Sequence, residues 1–206
     1  EEISKELTEI KWDAESAEKA GFEHFMMKEI HEQPRAAKDT LGAMISNGKI
    51  DLSSVGLSEE EIRKISEIYI VACGSAYHAG VVTQYVTEDL AGIPVRVELA
   101  SEFRYRKLAF SENALVLVIS QSGETADSLA ALREAKARGV KTLAIVNVVG
   151  SSIAREADSV FYTLAGPEIA VATTKAYCTQ LIAGYLLATE FARVRGQLSD
   201  GEYKKL

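Results

Sequence analysis

Small polar residues at positions 120–125, Ser-Gln-Ser-Gly-Glu-Thr, form the segment of the chain best suited to bind a ligand. They follow an apolar run and precede a stretch with helical spacing, so they lie where a buried strand gives way to a helix. A helix N-terminus presents free backbone N–H groups and a partial positive charge, which suits a phosphate. Hydroxyls and the Gln121 amide can add neutral donors, and Gly123 lets the backbone approach closely. The alternative is that the Ser and Thr side chains only cap the helix.

Two further segments have the same character, at residues 74–76 (Gly-Ser-Ala) and 170–174 (Ala-Val-Ala-Thr-Thr). The known nucleotide loops are absent from the sequence, which contains neither G-x-x-x-x-G-K-[ST] nor G-x-G-x-x-G after the first apolar run. The pattern therefore favours a small phosphorylated metabolite over ATP, GTP or a dinucleotide, and no cofactor is expected.

Five short apolar runs predict the strands that position these segments, at residues 68–72, 95–99, 114–119, 142–146 and 160–164. They are apolar almost throughout instead of alternating, which is typical of parallel strands buried on both faces. Helical stretches are predicted at residues 77–90, 125–138 and 171–194. The alternation predicts a doubly wound α/β domain with a five-stranded parallel sheet flanked by helices. Ligands bind such sheets beyond the carboxyl ends of the strands, where the three polar segments lie.

The part of the chain before the first strand is predicted to be a charged helical lead-in. Apolar residues between positions 22 and 30 have one-faced helical spacing, and Pro34 is expected to end or restart that helix. A turn at residues 47–49 makes a boundary within residues 47–57 plausible. Ser58 is placed to cap a short acidic helix.

Composition excludes several classes of protein. The chain is 47% hydrophobic and 26% charged, as globular proteins with a core are. Its net charge of −7 argues against nucleic-acid binding, and no stretch approaches the roughly 20 apolar residues that span a membrane. Two cysteines and the lack of a leader favour a cytoplasmic protein. The chain begins with Glu1 and not Met, which suggests a piece of a longer protein.

Residues 118–127, VISQSGETAD, resemble the phosphosugar loop of sugar isomerase (SIS) domains. Four more segments occur in an order that narrows the resemblance to the glutamine–fructose-6-phosphate aminotransferases, also called glucosamine-6-phosphate synthases. These segments are EKAGFEHFMMKEI (18–30), CGSAYH (73–78), ASEFRYR (100–106) and EIAVATTKA (168–176). The resemblance covers almost the whole chain.

That family joins a glutaminase domain to two SIS domains and converts fructose 6-phosphate and glutamine to glucosamine 6-phosphate and glutamate. The resemblance implies a flavodoxin-like SIS fold and a division into a lead-in from the glutaminase (residues 1–57), a first SIS domain (58–198) and a tail towards a second one (199–206). The family's catalytic lysine, glutamate and histidine have no counterpart here, so this piece is expected to have no catalytic residue and to be inactive alone. Its expected partners are fructose 6-phosphate or glucosamine 6-phosphate, the other two domains, and a second copy in a homodimer.

The resemblance also assigns binding residues. Four positions match the family's phosphate contacts and four lie where the family holds the sugar: Ser120, Gln121, Ser122 and Thr125 for the phosphate, and Ser75, Ala76, Val171 and Thr173 for the sugar. The family commonly has Thr-Ser where this chain has Ser75-Ala76. A side-chain contact at Ala76 is therefore lost, while a backbone contact is kept.

Other reactive residues are interpreted as structural. His78 could contact the sugar or only stabilise the start of a helix. His24 and His31 are seven residues apart with no further ligand at metal spacing, so no metal site is expected. Cys73 lies at the end of a buried strand without an identifiable base and is interpreted as a small apolar residue. Lys175 opens a long helix and matches no catalytic lysine of the family.

A mixed-charge cluster, Glu102, Arg104 and Arg106, follows the second apolar run. A solvated surface is the default interpretation, and a subunit or interdomain contact is the alternative. For the whole chain, the alternative functions are a regulatory SIS module that senses a phosphosugar, and a complete isomerase. The acidic lead-in lacks a basic recognition helix, and no general base for an isomerase can be nominated.

Overall fold

The computed structural model describes residues 18–206 and builds them around one central sheet. In chain order the elements are α1 (Phe25–Met44), β1 (Ile45–Ser46), β2 (Lys49–Ile50), a 3-10 turn (Ser53–Val55), α2 (Glu59–Lys64), β3 (Ile68–Ala72), α3 (Ser75–Ala91), β4 (Val95–Leu99), α4 (Ala100–Phe103), β5 (Leu115–Ser120), α5 (Ala126–Ala137), β6 (Lys141–Val146), α6 (Ser152–Glu156), β7 (Ser159–Tyr162), α7 (Lys175–Val194) and α8 (Asp200–Tyr203).

The central sheet has five strands in the order β4-β3-β5-β6-β7, and every neighbouring pair is parallel. Every residue of β3 and β5 is buried, which explains why these strands read as uninterrupted apolar runs. The predicted five-stranded doubly wound sheet is confirmed. The order reverses between β3 and β5, which places the switch point of the sheet beside the end of β5.

Successive strand residues send their side chains to opposite faces, and each face has its own core. Ile68 and Ile70 of β3 belong to the cluster that includes residues of α7, whereas Tyr69 and Val71 belong to the cluster that includes residues of α5. The helices therefore cover the sheet on both sides and leave its carboxyl edge for the connecting loops.

Helix α1 runs through Pro34, so the expectation that the helix would end or restart there is wrong. Proline has no N–H to donate to the carbonyl four residues earlier, which belongs to Ile30. The side-chain amide of Gln33 donates to that carbonyl instead, at 3.1 Å. Gln33 is itself held by the thiol of Cys178, 2.8 Å from its Oε1. A neighbouring side chain thus replaces the missing backbone bond.

The apolar residues in the N-terminal half of α1 do not form its buried face. Met26, Met27 and Ile30 are exposed, whereas Lys28 and Glu29 are buried. This half of the helix therefore contacts the rest of the chain through polar side chains, which its apolar spacing did not predict, while Ala36 and Met44 are buried further along.

Two local predictions are confirmed and one helix start is wrong. The turn at residues 47–49 is a two-residue hairpin between β1 and β2, with Asn47 and Gly48 both at positive φ. Ser58 caps α2 in a capping box with Glu61. The last long helix begins at Lys175 and not at residue 171, because the preceding residues form a loop that ends in a capping contact at the start of α7.

Within residues 18–206, no helix has the length and apolar character needed to cross a bilayer.

Candidate functional site

A cleft of about 230 Å³ opens at the carboxyl edge of the sheet. Its walls come from the ends of β3 and β5 with the helix starts that follow them, from the loop between β7 and α7, and from α7 itself. The lining residues are Cys73, Ser75, Ala76, Ile119, Ser120, Gln121, Ser122, Thr125, Glu168, Ala170, Val171, Thr173 and Gln180. The position matches the edge at which doubly wound sheets bind ligands.

The loop after β5 is held by its own hydroxyls. Ser120 Oγ lies 3.0 Å from Thr125 Oγ1 and accepts the N–H of Gly123 at 3.1 Å. Ser122 Oγ accepts the N–H of Glu124 at 3.2 Å. Ser120 is buried at the strand end, while Gln121 and Ser122 are half-buried beside the cleft. Hydrogen bonds within residues 120–125 therefore fix the turn of this loop, and its polar residues line the cleft.

Gly123 is required by the packing beneath this loop. Its φ is 64°, which favours glycine, and a Cβ there would lie only 2.0 Å from Ser151 Oγ. The backbone is also fixed from the next loop, since Gly123 accepts the N–H of Ile153 and Gln121 accepts the N–H of Asn147. The connection between β6 and β7 thus holds the loop in place at two points.

Glu124 points away from the cleft. Its Oε1 accepts the N–H of Ser152, the first residue of α6, at 2.7 Å, and this backbone donor is the main cause that lowers the pKa of the Glu124 carboxyl. The Glu124 carboxylate is bonded to the start of α6, so it places no negative charge in the cleft.

Two helix N-termini border the cleft without a side-chain cap. Neither Gly74, the N-cap of α3, nor Thr125, the N-cap of α5, makes a side-chain capping bond. Both helices are long enough to carry a dipole, and the N–H groups of a first turn need a partner that is not part of the helix. The cleft therefore offers an anion backbone donors from two directions.

The start of α7 is different, because Glu168 already occupies it. Glu168 Oε1 accepts the N–H groups of Thr174 and Ala176 at 2.9 and 3.1 Å, and Oε2 accepts the hydroxyl of Thr173 at 2.9 Å. Among the described residues that line the cleft, Glu168 carries the only charged side chain. The N–H groups at the start of α7 stabilise the negative charge of Glu168, and this reduces the repulsion between Glu168 and a bound anion.

All eight residues predicted to contact phosphate or sugar line this single cleft. Sequence reasoning missed Glu168 and Gln180 as lining residues, whereas Ala170 belongs to the candidate segment 170–174 but was assigned no contact. Gln180 is a polar residue on the buried side of α7, 4% exposed, and that polarity within an apolar helix face was the available signal. Cys73 and Ile119 line the cleft as the ends of their strands.

The remaining candidates lie apart from the cleft or have other partners. His78 is exposed, contacts the Tyr77 ring edge-to-face and is not a lining residue of the cleft. Lys175 is fully buried and forms an ion pair with Glu32 at 2.6 Å. His31 stacks on a phenylalanine ring. Nowhere in residues 18–206 do three His, Cys, Asp or Glu side chains group as metal ligands would.

The two arginines of the mixed-charge cluster are paired within the chain. Arg104 donates to Asp127 in the first turn of α5 at 2.7 Å, and Arg106 donates to Glu98 of β4. Each of these bonds raises the pKa of its guanidinium group. These contacts link neighbouring loops and strands on the surface of the same domain.

A larger and more apolar cavity, about 850 Å³, lies elsewhere, between α3, α7 and the β1–β2 hairpin. Tyr85 and Tyr185 line it and are more than half exposed. It offers no cluster of hydroxyl or amide donors comparable to the cleft.

Known proteins share both the sequence and the fold of this chain. A profile of the SIS domain family matches residues 61–190. The glutamine–fructose-6-phosphate aminotransferase [isomerizing] of Caldanaerobacter subterraneus subsp. tengcongensis is 61% identical over 199 residues, which are 96% of this chain and 33% of that protein. The protein of the same name from Clostridium tetani is 57% identical over 206 residues, 100% of this chain and 34% of that protein.

Among solved structures, the C-terminal domain of glucosamine-fructose-6-phosphate aminotransferase from Francisella tularensis is similar with a TM-score of 0.86 and 43% identity. The match covers 91% of this chain and 52% of that one. The chain thus spans about a third of the length of the curated relatives that it matches. Because the stretch matched by the profile contains strands β3 to β7 and every residue that lines the cleft, the chain belongs to the SIS domain family.

Proposed function

We propose that the chain is the sugar-phosphate-binding half of the isomerase region of a glutamine–fructose-6-phosphate aminotransferase. In this proposal the loop after β5 holds the phosphate of fructose 6-phosphate through Ser120, Gln121, Ser122 and Thr125. The sugar lies against the other side of the cleft, beside the residues Ser75, Ala76, Val171 and Thr173.

The observation that carries the proposal is the convergence of neutral donors on one cleft. Hydroxyls, an amide and two uncapped helix starts face the same space. Together they can satisfy a phosphate without a lysine or arginine, which accounts for phosphate binding by a chain with a net charge of −7. A cluster that served only to cap helices would bond to the first-turn N–H groups of α5, whereas Ser120 and Thr125 bond to each other.

The relatives support the assignment to this enzyme, since they are named for it and match 96% and 100% of this chain. Their threefold greater length supports a division of labour in which a glutaminase domain and a second SIS domain supply the chemistry. We propose that this piece holds the phosphate, supplies no catalytic residue and pairs with a second copy in a homodimer. Holding a non-reacting phosphate lowers the entropic cost of aligning the reacting carbons. The unpaired cysteines fit the reducing cytosol.

The size of the cleft is consistent with half of a site. At about 230 Å³ it is smaller than the roughly 300–1,000 Å³ of most complete small-molecule pockets. It has room for the phosphate and the adjoining end of the sugar. We propose that residues beyond this chain enclose the reacting end.

Calorimetric titration tests the proposal directly. The chain is titrated with fructose 6-phosphate, inorganic phosphate and free fructose, and the Ser120→Ala/Ser122→Ala variant is titrated in the same way. Hydrogen bonds to a charged group contribute about 1.5–3 kcal/mol each, so loss of both hydroxyls should weaken fructose 6-phosphate binding by at least about a hundredfold.

A matched control is available at the opposite edge of the sheet. Ser66 and Ser111 have hydroxyls 2.8 Å apart at the amino ends of β3 and β5. The variant Ser66→Ala/Ser111→Ala makes the same chemical change away from the cleft and should bind like the parent chain. Equal affinity for fructose and fructose 6-phosphate, or equal losses in both double variants, would contradict a phosphate site at residues 120–125.

A further inference from the structure

Helix α1 contacts the loop between β7 and α7 through charged side chains. Glu29 is 2% exposed although it lies on a surface helix, and the apolar Met26 and Met27 on the same helix face solvent. Burying a carboxylate while exposing methionines is unfavourable unless the carboxylate has specific partners. The partners of Glu29 lie in the loop that forms one wall of the cleft.

Glu29 Oε1 accepts two backbone N–H groups in succession, from Ile169 at 2.6 Å and from Ala170 at 3.1 Å. Ala170 and the next residue, Val171, both line the cleft. The other carboxylate oxygen, Oε2, is buried and has no hydrogen-bond partner within residues 18–206. The hydrogen bonds of Glu29 to this loop therefore run through one oxygen.

A second carboxylate one turn later holds the end of the same loop. Glu32 Oε2 lies 2.6 Å from Lys175 Nζ, and Lys175 is the first residue of α7 and fully buried. A buried ammonium group is stable only when it is paired. The two carboxylates are three residues apart, so they lie on one side of α1. Glu29 contacts the loop just before Val171, and Glu32 contacts the first residue after the loop.

The loop needs such support, because residues 163–174 have no helix or strand of their own. Val171 at its tip is fully exposed, so side-chain burial does not fix it. A pair of peptide N–H groups bonded to one carboxylate orients both peptide planes. That orientation keeps the loop in one conformation before a ligand arrives, which reduces the entropy lost on binding.

We propose that Glu29 is a positioning residue for the sugar-contacting loop, with Glu32 and Lys175 in support, so that α1 is a working part of the binding site. The inference rests on the proposed function, because it assigns the loop to the sugar of fructose 6-phosphate. It also extends the site beyond residues 61–190, the stretch that the SIS domain profile matches.

Three variants separate positioning from general damage. Glu29→Leu keeps the size of the side chain and removes the acceptor, whereas Glu29→Gln keeps a carbonyl oxygen that can accept both N–H groups. Asp39→Asn changes a charge at an exposed position of the same helix and is the control. Each variant is titrated calorimetrically with fructose 6-phosphate and with inorganic phosphate. Amide hydrogen exchange is followed by mass spectrometry for residues 165–174.

Glu29→Leu is expected to weaken fructose 6-phosphate binding by about tenfold or more, because two N–H groups lose their acceptor. Its affinity for inorganic phosphate should stay within about twofold, since Glu29 does not contact the loop after β5. Exchange in residues 165–174 should become faster in this variant alone. Glu29→Gln should restore both affinity and protection, and Asp39→Asn should match the parent chain.

Unchanged fructose 6-phosphate affinity in a folded Glu29→Leu variant would overturn the inference, and so would an equal loss for inorganic phosphate. If Glu29→Leu does not fold, amide hydrogen exchange in the parent chain tests the inference. Rapid exchange of the N–H groups of Ile169 and Ala170 would show that they are not held by Glu29 and would overturn the inference. If the parent chain bound no fructose 6-phosphate, the proposed function would fail. The exchange experiment would still report separately on whether Glu29 holds the loop.

Discussion

Replacing Gly123 with alanine is expected to destabilise the chain through two separable costs. The first is conformational: φ at Gly123 is 64°, and an L-residue in this left-handed region costs about 1–2 kcal/mol. The second is steric, since an added Cβ would lie 2.0 Å from Ser151 Oγ and 2.6 Å from Ser151 Cβ. Overpacking of a buried site costs about 1–3 kcal/mol. The free energy of unfolding should therefore fall by about 2–5 kcal/mol.

Two comparisons divide that loss into its parts. Gly139, after α5, has φ of 72°, and a Cβ there would meet no described atom within 4 Å. Gly139→Ala should therefore show only the conformational cost of about 1–2 kcal/mol. In the double variant Gly123→Ala/Ser151→Gly, the obstructing side chain is absent and the steric part should be recovered. Urea denaturation followed by circular dichroism gives each value, provided that the slope of the transition is unchanged.

Equal losses at Gly123 and Gly139, or no recovery in the double variant, would refute a steric cost at Gly123. The same variants also connect stability to binding. If the added methyl group displaces the loop that carries Gln121 and Ser122, Gly123→Ala should weaken fructose 6-phosphate binding while Gly139→Ala should not. Calorimetry on both variants measures that difference.

Acid is expected to destabilise the chain in part through Glu61, whose carboxyl pKa is lowered from 4.5 to about 2, chiefly by a hydrogen bond from Lys141. Since the folded pKa lies below the unfolded one, this contribution is present above about pH 4.5 and is lost as the pH falls towards about pH 2. Glu61→Gln should therefore flatten the decline of Tm across that window, and an unchanged decline would contradict the assignment. Ala76→Ser restores the family's hydroxyl in the cleft and should strengthen fructose 6-phosphate binding by up to about tenfold in calorimetry, whereas weaker binding would place the side chain outside the site. Gln33→Leu leaves the Ile30 carbonyl without its donor and should lower the free energy of unfolding by about 0.5–1.5 kcal/mol in urea denaturation, whereas no loss would mean that water replaces the amide.

The sheet and the cleft could be predicted from the sequence because both depend on regular patterns. Strands buried on both faces read as apolar runs wherever they lie in the sheet. The carboxyl ends of parallel strands meet at one edge, so polar residues that follow β3 and β5 had to come together. Six of the eight predicted binding residues are neighbours for that reason, whereas Val171 and Thr173 follow β7 and reach the cleft through the loop before α7. The resemblance added the assignment to phosphate and sugar.

The features that were missed depend on single side-chain contacts between distant parts of the chain. Helix α1 continues through Pro34 because the side-chain amide of Gln33 donates to the Ile30 carbonyl. No hydrophobic periodicity in the sequence predicts that hydrogen bond. The polar face of α1 is buried because Glu29 finds partners 140 and 141 residues away. Glu168 and Gln180 reach the cleft through the placement of one loop and one helix. Local sequence carries little information on such placements.

The three helix starts that meet at the cleft are not equivalent, and the difference gives the site a direction. The starts of α3 and α5 have no side-chain cap, while the start of α7 is neutralised by Glu168. An anionic group is therefore drawn towards the loop after β5 and away from the carboxylate, where hydroxyl groups are the better partners. A phosphorylated sugar carries its charge at one end and hydroxyls along the rest. The cleft is polarised in the same sense, so under the proposed function one orientation of the sugar phosphate would satisfy both ends.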